Sequence, residues 1–258
     1  MKIQNIFKIS SFLLLIFIFN ACSKDSDVSN DLKSPGGKSG STAKIVVVGN
    51  YLYAIDNSEL KIFNISIPST PTLVGTKNID MGIETIYPFK NYLFIGGNSG
   101  MYIYSLTDPT NPTQLSQFTH ITSCDPVIAN DSLAYVTLRT DQVCNRWMDT
   151  RQIEIIDVKS VINPSLIYTY QTLDYPYGLD MNDDYLFVCH GTAGVGIYSK
   201  NLLTSGNNAM ISKIQNINAY DAILYNNILY VIGESGFYQY DYSNIFSPTL
   251  ISSIQAGF

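Results

Sequence analysis

A unit of about 42 residues recurs along this chain, and recurrence at that pitch restricts the fold more than any other feature. It is plainest over residues 49–73, G-N-Y-L-Y-A-I-D-N-S-E-L-K-I-F-N-I-S-I-P-S-T-P-T-L. Gly49-Asn50 is a turn, 51–55 an alternating strand, 56–59 a second turn and 60–65 a second strand. A corner marked by Pro68 and Pro71 leads into a third strand at 72–76. The leucines that follow the turns are Leu52, Leu93, Leu133, Leu186 and Leu229, at steps of 41, 40, 53 and 43 residues. Two residues before them stand Asn50, Asn91, Asp131, Asp184 and Asn227, types that tolerate the left-handed backbone of a tight hairpin. The Pro-opened strands give a second register, at Pro71, Pro112, Pro164 and Pro248. The fourth unit has lost its Pro and carries residues 199–210 there.

Each unit predicts four short strands. The first lie at 44–48, 83–88, 126–129, 177–181 and 221–225. The second lie at 51–55, 92–96, 133–138, 185–189 and 228–232, and the third at 60–65, 101–106, 152–157, 195–198 and 237–242. No helical periodicity of useful length follows Cys22. Four strands per unit is one propeller blade. Solenoid coils are shorter, and sandwiches lack so regular a period. The expected fold is an all-β propeller of about five four-stranded blades over 44–258, each face buried against a neighbour. No spare strand remains to complete the first blade across the seam unless 45–48 serves there, so closure is expected to rest on side-chain packing alone, a weak point of the ring.

The first 21 residues predict an export signal, with Lys2 and Lys8 before an apolar core at 11–19 too short to span a membrane. F-N-A-C at 19–22 resembles the lipobox of Bacteroidota lipoproteins, with Phe19 in place of the usual Leu. The resemblance implies cleavage before Cys22 and its acylation (palmitate among the chains), hence stable membrane attachment. S-K-D-S-D after it resembles the surface-export signal of such lipoproteins and implies an outer-membrane, surface-exposed location. Residues 22–43 are rich in Ser, Gly, Lys and Asp and predict a flexible tether. The net charge is −6, and loss of the two signal lysines leaves about −8, a balance that argues against nucleic acid as a partner.

L-K-I-F-N-I-S-I-P-S-T-P-T-L-V-G (60–75) and M-Y-I-Y-S-L-T-D-P-T-N-P (101–112) resemble the LVIVD-repeat propeller proteins of bacteria. C-D-P-V-I-A (124–129), L-F-V-C-H-G (186–191) and Y-Q-Y-D-Y-S (238–243) resemble a Bacteroidota lipoprotein branch of that family. The resemblance covers residues 44–255 and implies fold and cell-envelope location, but no activity. Asn64 stands where the repeat usually has Asp.

Three groups of residues are candidates for function. Cys124, Cys144 and Cys189 are an odd count for an oxidising compartment; a Cys124–Cys144 bridge would pin the insertion at 140–151, and Cys189 is either a buried thiol or a partner of one of the other two. That insertion holds Arg139, Arg146, Trp147 and Arg151, residue types of a partner-binding loop, although a solvated charged loop reads the same way. At the starts of the innermost strands, Glu84, Asp125, Tyr177, Tyr220 and Asp221 face the channel mouth, where they would bind a cation or a sugar or satisfy backbone amides. No catalytic residue is assigned: His120 and His190 sit in no nucleophile motif. No C-x-x-C occurs, and neither a metal nor a cofactor is expected. The sequence therefore reads as a lipid-anchored, non-enzymatic scaffold for a protein partner or an envelope glycan. The alternative is a glycan-active lyase or hydrolase using Asp125, Asp221 and Tyr177, and a third reading is a structural subunit of an outer-membrane assembly.

Overall fold

The computed structural model describes residues 38–121, 126–140 and 149–256. It is a five-bladed β-propeller with four antiparallel strands in each blade. Blade 1 is β1 (Ile45–Val48), β2 (Tyr51–Asp56), β3 (Glu59–Asn64) and β4 (Thr72–Asn78). Blade 2 is β5 (Ile83–Phe89), β6 (Tyr92–Gly97), β7 (Gly100–Ser105) and β8 (Thr113–Thr119). Blade 3 is β9 (Val127–Ala129), β10 (Leu133–Arg139), β11 (Arg151–Asp157) and β12 (Ser165–Gln171). Blade 4 is β13 (Leu179–Met181), β14 (Tyr185–Cys189), β15 (Val195–Ser199) and β16 (Met210–Ile214). Blade 5 is β17 (Ala219–Tyr225), β18 (Ile228–Gly233), β19 (Gly236–Asp241) and β20 (Thr249–Gln255). In every sheet the strands lie side by side in chain order, so among the described residues no strand is exchanged between the first and last blades. The corner that lost its proline holds a single-turn helix, α1 (Lys200–Leu203), with Leu203 buried.

The repeat is chemical as well as geometric. The second strands carry one aromatic residue each at the same place: Tyr53, Phe94, Tyr135, Phe187 and Tyr230. The first four are fully buried in the interface with the following blade. The neighbouring residue points the other way, because side chains alternate along a strand. It is Leu93, Ala134, Leu186 or Leu229, each buried against the preceding blade. Unit three therefore corrects the leucine register by one residue. Val158 N–H donates to Ser132 as Leu106 N–H does to Asn91, which makes Ala134, not Leu133, the counterpart of Leu93. Asn130 Oδ1 accepts from the amides of Ser132 and Leu133, a local bond that Asn182 repeats in blade 4. Blades 1, 2 and 5 turn instead on positive-φ residues, Gly49, Lys90 and the Asn226-Asn227 pair. A β-bulge also recurs between the third and fourth strands, at 62/63, 103/104, 155/156, 197/198 and 239/240. Asn64 accepts from the amide of Ser66 as Asp157 and Asp241 accept from Lys159 and Ser243, so the Asp-to-Asn change keeps the turn.

Four apolar clusters fill the four interfaces between consecutive blades, from 1/2 to 4/5. Among the described residues no such cluster joins blade 5 to blade 1. The seam is the weak point expected of it, and side-chain packing does not close it: Ile232 and Ile45, on its two sides, are 56% and 57% exposed.

What ties the ring together is an axial segment that the sequence reading placed in the tether. Ala43 C=O accepts from Ile86 N–H of blade 2. Ser41 Oγ donates to Asp221 Oδ1 of blade 5 at 3.1 Å and accepts from Leu179 N–H of blade 4 at 2.7 Å. Thr42 donates to Asp221 Oδ2 through its hydroxyl at 2.6 Å and its amide at 3.3 Å. Lys38 pairs with buried Asp180 at 2.6 Å and also reaches Leu224 C=O. Residues 38–43 thus form a polar peg among the innermost strands. Two glycines make room for its anchor: a Cβ on Gly40 or Gly178 would stand 2.1 Å from a carboxylate oxygen of Asp221.

Candidate functional site

The open end of the β10–β11 hairpin places Arg139 and Arg151 directly opposite each other. Like charges in that register repel, and each needs a partner. The connection that precedes β13 supplies them. The Arg139 guanidinium lies 4.2 Å from the ring centroid of Tyr177, and Arg151 4.5 Å from that of Tyr175. Arg151 is further held by both oxygens of Asp149, at 2.8 and 2.6 Å, and donates to Leu173 C=O at 3.0 Å. Tyr175 Oη donates to the same carboxylate at 2.8 Å. The Asp149 carboxyl is held below the usual carboxylate range by the Arg151 hydrogen bonds and then by Tyr175.

Tyr177 continues the array towards blade 5. Its ring is 5.7 Å from that of Tyr220, tilted by 54°. Tyr220 is the extra residue of a bulge between Ala219 and Asp221, and Glu84 is the extra residue of the matching bulge between Ile83 and Thr85 in β5. Bulges re-aim side chains, and here they turn one residue of blades 2 and 5 out of the ladder at its inner end. Asn218 Nδ2 donates to Tyr220 Oη at 3.2 Å and to Glu234 Oε2 at 2.5 Å. Arg139, Tyr177 and Tyr220 therefore form one continuous guanidinium–aromatic platform drawn from blades 3, 4 and 5.

The structure thus brings together residues that the sequence assigned to two different sites, a loop and a channel mouth. Asp221 has a different setting from its neighbour Tyr220: it is turned to the axis and accepts from Ser41, Thr42 and the amide of Ala222. Burial pushes its carboxyl above the usual range, against hydrogen bonds that pull the other way. Glu84 is half-buried in β5. Asp125, Cys124, Cys144, Arg146 and Trp147, like Cys22 and the signal segment 1–21, lie outside the described residues. Cys189 is a free thiol, buried, and burial followed by the nearby Asp221 charge pushes it well up. His190 is a core residue: Nε2 meets Tyr198 Oη at 2.7 Å and Nδ1 lies 3.3 Å from Asp174 C=O, and burial lowers its imidazole to about 4. Among the described residues no three His, Cys, Asp or Glu side chains gather to hold a metal ion. Asp180 and Ser41, the axial pair-formers, were missed by sequence reasoning. Asp180 lay hidden in an ordinary strand, and Ser41 in a stretch whose composition reads as linker. A second hollow, of about 460 Å³, opens between blades 3 and 4, walled by Tyr168, Tyr170, Tyr198, Asn207 and Asn208.

The fold defines a class: a small five-bladed β-propeller, here with a guanidinium–aromatic platform at one rim. Within that class, residues 39–78 match the model of the LVIVD repeat. No curated protein matches the chain. Solved structures with a similar fold include the computationally designed Ika8 protein, at 11% identity and a TM-score of 0.59 over 83% of this chain and 61% of that one. They also include the periplasmic gluconolactonase PpgL of Pseudomonas aeruginosa, at 11% identity and 0.63 over 81% of this chain and 68% of that one. A protein from Lactobacillus plantarum matches at 12% identity and 0.63, over 81% and 73%. At such identities the likeness is one of fold. The chain spans about three fifths of the designed protein's length.

Proposed function

We propose that this protein is a non-enzymatic binding scaffold of the cell envelope. It is anchored in the outer membrane by lipid on Cys22 and presents one mouth of its ring to a protein partner or an envelope glycan. The observation that carries this reading is the Arg139–Tyr177–Tyr220 platform, with spacings of 4.2 and 5.7 Å. Arg and Tyr are over-represented among residues that dominate binding energy, because they offer large, stiff surface with a polar end. The platform carries positive charge and π-faces, suited to an acidic or hydroxyl-rich ligand. The glycan-cleaving alternative draws less support, since the Asp221 it would use is spent on the peg.

The test is cross-linking on intact cells, followed by purification of the protein and mass spectrometry of what accompanies it, for the native chain and for Arg139→Ala and Tyr177→Ala. A dominant partner or glycan captured by the native chain and reduced at least about tenfold in both variants, equivalent to about 1.4 kcal/mol, is the expected result. Equal capture by all three chains would refute the platform. Loss of palmitate labelling in Cys22→Ser checks the anchor.

A further inference from the structure

Blade 5 ends in a sheet face that nothing among the described residues covers. In blades 1 to 4 the equivalent face packs on the next blade through Tyr53, Phe94, Tyr135 and Phe187, with Ile62, Ile103, Ile155 and Ile197 beside them, all at most 1% exposed. In blade 5 these two places hold Tyr230 and Gln239, which are register partners and both only half-buried. Around them the same face carries Ile223, Tyr225, Ile228, Ile232, Phe237 and Ile254. The rings of Tyr230 and Phe237 stack at 5.8 Å. Tyr225, Ile232 and Ile254 are 59%, 56% and 67% exposed. A hollow of about 470 Å³ lies over Ile232, Phe237 and Ile254, with Tyr220 and Glu234 at its rim.

The other side of the seam is built differently. The open face of blade 1 has Lys61 in its middle, held by Asp56 at 2.7 Å with Glu59 at 3.8 Å. That is how a terminal repeat is made soluble. On blade 5, Asp221 of β17 is turned to the axis and held by Ser41 and Thr42, and the other charges among the described residues stand at strand ends: Glu234 at one hairpin and Asp241 at the other, each already bonded, to Asn218 and to the amide of Ser243.

We propose that this face is a self-association surface on which two copies of the chain meet about a two-fold axis, blade 5 against blade 5. Two observations select a second copy as the occupant. The chain carries a net charge of −6, so copies repel except where the contact is free of charge, and the middle of this face is. The one polar residue at its centre is Gln239, whose amide holds both a donor and an acceptor and so can satisfy its own symmetry mate. The area is sufficient. The apolar side chains offer on the order of 500 Å² per copy, hence about 1,000 Å² in all, the lower bound for a specific contact. Such a contact is reversible in dilute solution, and it is strengthened when both copies are held in one membrane plane, where local concentration is high.

The test leaves the mouth residues untouched, so its outcome is independent of the platform. Purified full-length Gln239→Cys is oxidised mildly and run on a non-reducing gel, beside Lys61→Cys from the open face of blade 1 and the native chain as a background for its own 4 cysteines. Sedimentation velocity compares the native chain with Tyr230→Asp. The expected result is a Gln239→Cys dimer forming at least tenfold faster than the Lys61→Cys one, and association weakened at least tenfold by Tyr230→Asp with an unchanged circular dichroism spectrum. Equal cross-linking of the two cysteine variants overturns the proposal, as does a native chain that stays monomeric. Preferential cross-linking in a mixture of the two variants would show a head-to-tail contact and overturn it as well. Should Tyr230→Asp fail to fold, the comparison of the two cysteine variants decides.

Discussion

Replacing Ser41 with Ala removes one oxygen and should cost far more than a surface serine. Ser41 is 1% exposed, and its hydroxyl joins two blades, donating to Asp221 Oδ1 and accepting from Leu179 N–H. The variant strands the buried Leu179 amide, a loss of about 1–3 kcal/mol for an unsatisfied group. It also takes one donor from a buried carboxylate, and hydrogen bonds to charged groups contribute about 1.5–3 kcal/mol. The two losses share one site and do not add fully, so about 3 kcal/mol is expected. For a domain of this size that lowers the melting temperature by about 6–12 °C. The assay is thermal unfolding followed by far-ultraviolet circular dichroism, with Thr42→Val as the matched variant. Thr42 bonds the same carboxylate but is exposed, so water can replace it and its loss should cost about 1 kcal/mol or less. A Ser41→Ala melting point within about 1 °C of native, or a Thr42→Val loss as large, would refute the view that the peg holds the ring.

Three further outcomes follow from the same geometry. His190 is buried neutral, with its imidazole lowered to about 4, so the folded state binds fewer protons than the unfolded one between that value and about 6.5. Stability is therefore full above about pH 6.5 and falls by about 3 kcal/mol as pH drops to about 4, a loss that His190→Gln should largely remove in urea titrations at a series of pH values. Asp221 works in the opposite sense: burial raises its carboxyl, so its contribution is full below the unfolded value near 3.9 and fades as pH rises through the folded one. Melting curves of Asp221→Asn should lose that decline, while those of the native chain keep it. Gly178→Ala drives a Cβ to 2.1 Å from Asp221 and should destabilise by about 2 kcal/mol or more in equilibrium unfolding; a neutral result would show that the peg can move aside.

Most of the ring was legible because its strands are local. A hairpin needs only its own alternation and turn, and Tyr51 to Phe63 contain both. Leu133 shows where that reading slips: counting leucines follows residue type, whereas the pairing with Ala129 puts Ala134, the next residue, in the buried place. The peg was illegible because composition speaks for bulk behaviour. A Ser/Gly/Lys stretch looks like linker until its individual hydroxyls meet Asp221, which is remote in sequence. The open seam did leave a trace, in Lys61 and Gln239, polar residues at places where other blades bury Tyr102 or an isoleucine. Arg139 and Tyr177 could each be suspected from residue type, but only register and ring geometry place one over the other.

The peg also sets a timetable. A ribosome makes Ser41 before any blade exists and Asp221 when nearly the whole ring is out, 180 residues later. At about 5–20 residues per second that is an interval of roughly ten to forty seconds. Each blade can form as its own strands emerge, since its pairings are between neighbours in the chain. The segment synthesised first must wait uncommitted until the last blade arrives. Its Ser, Gly and Lys suit that wait, because such residues stay hydrated and offer nothing for a half-made sheet to capture.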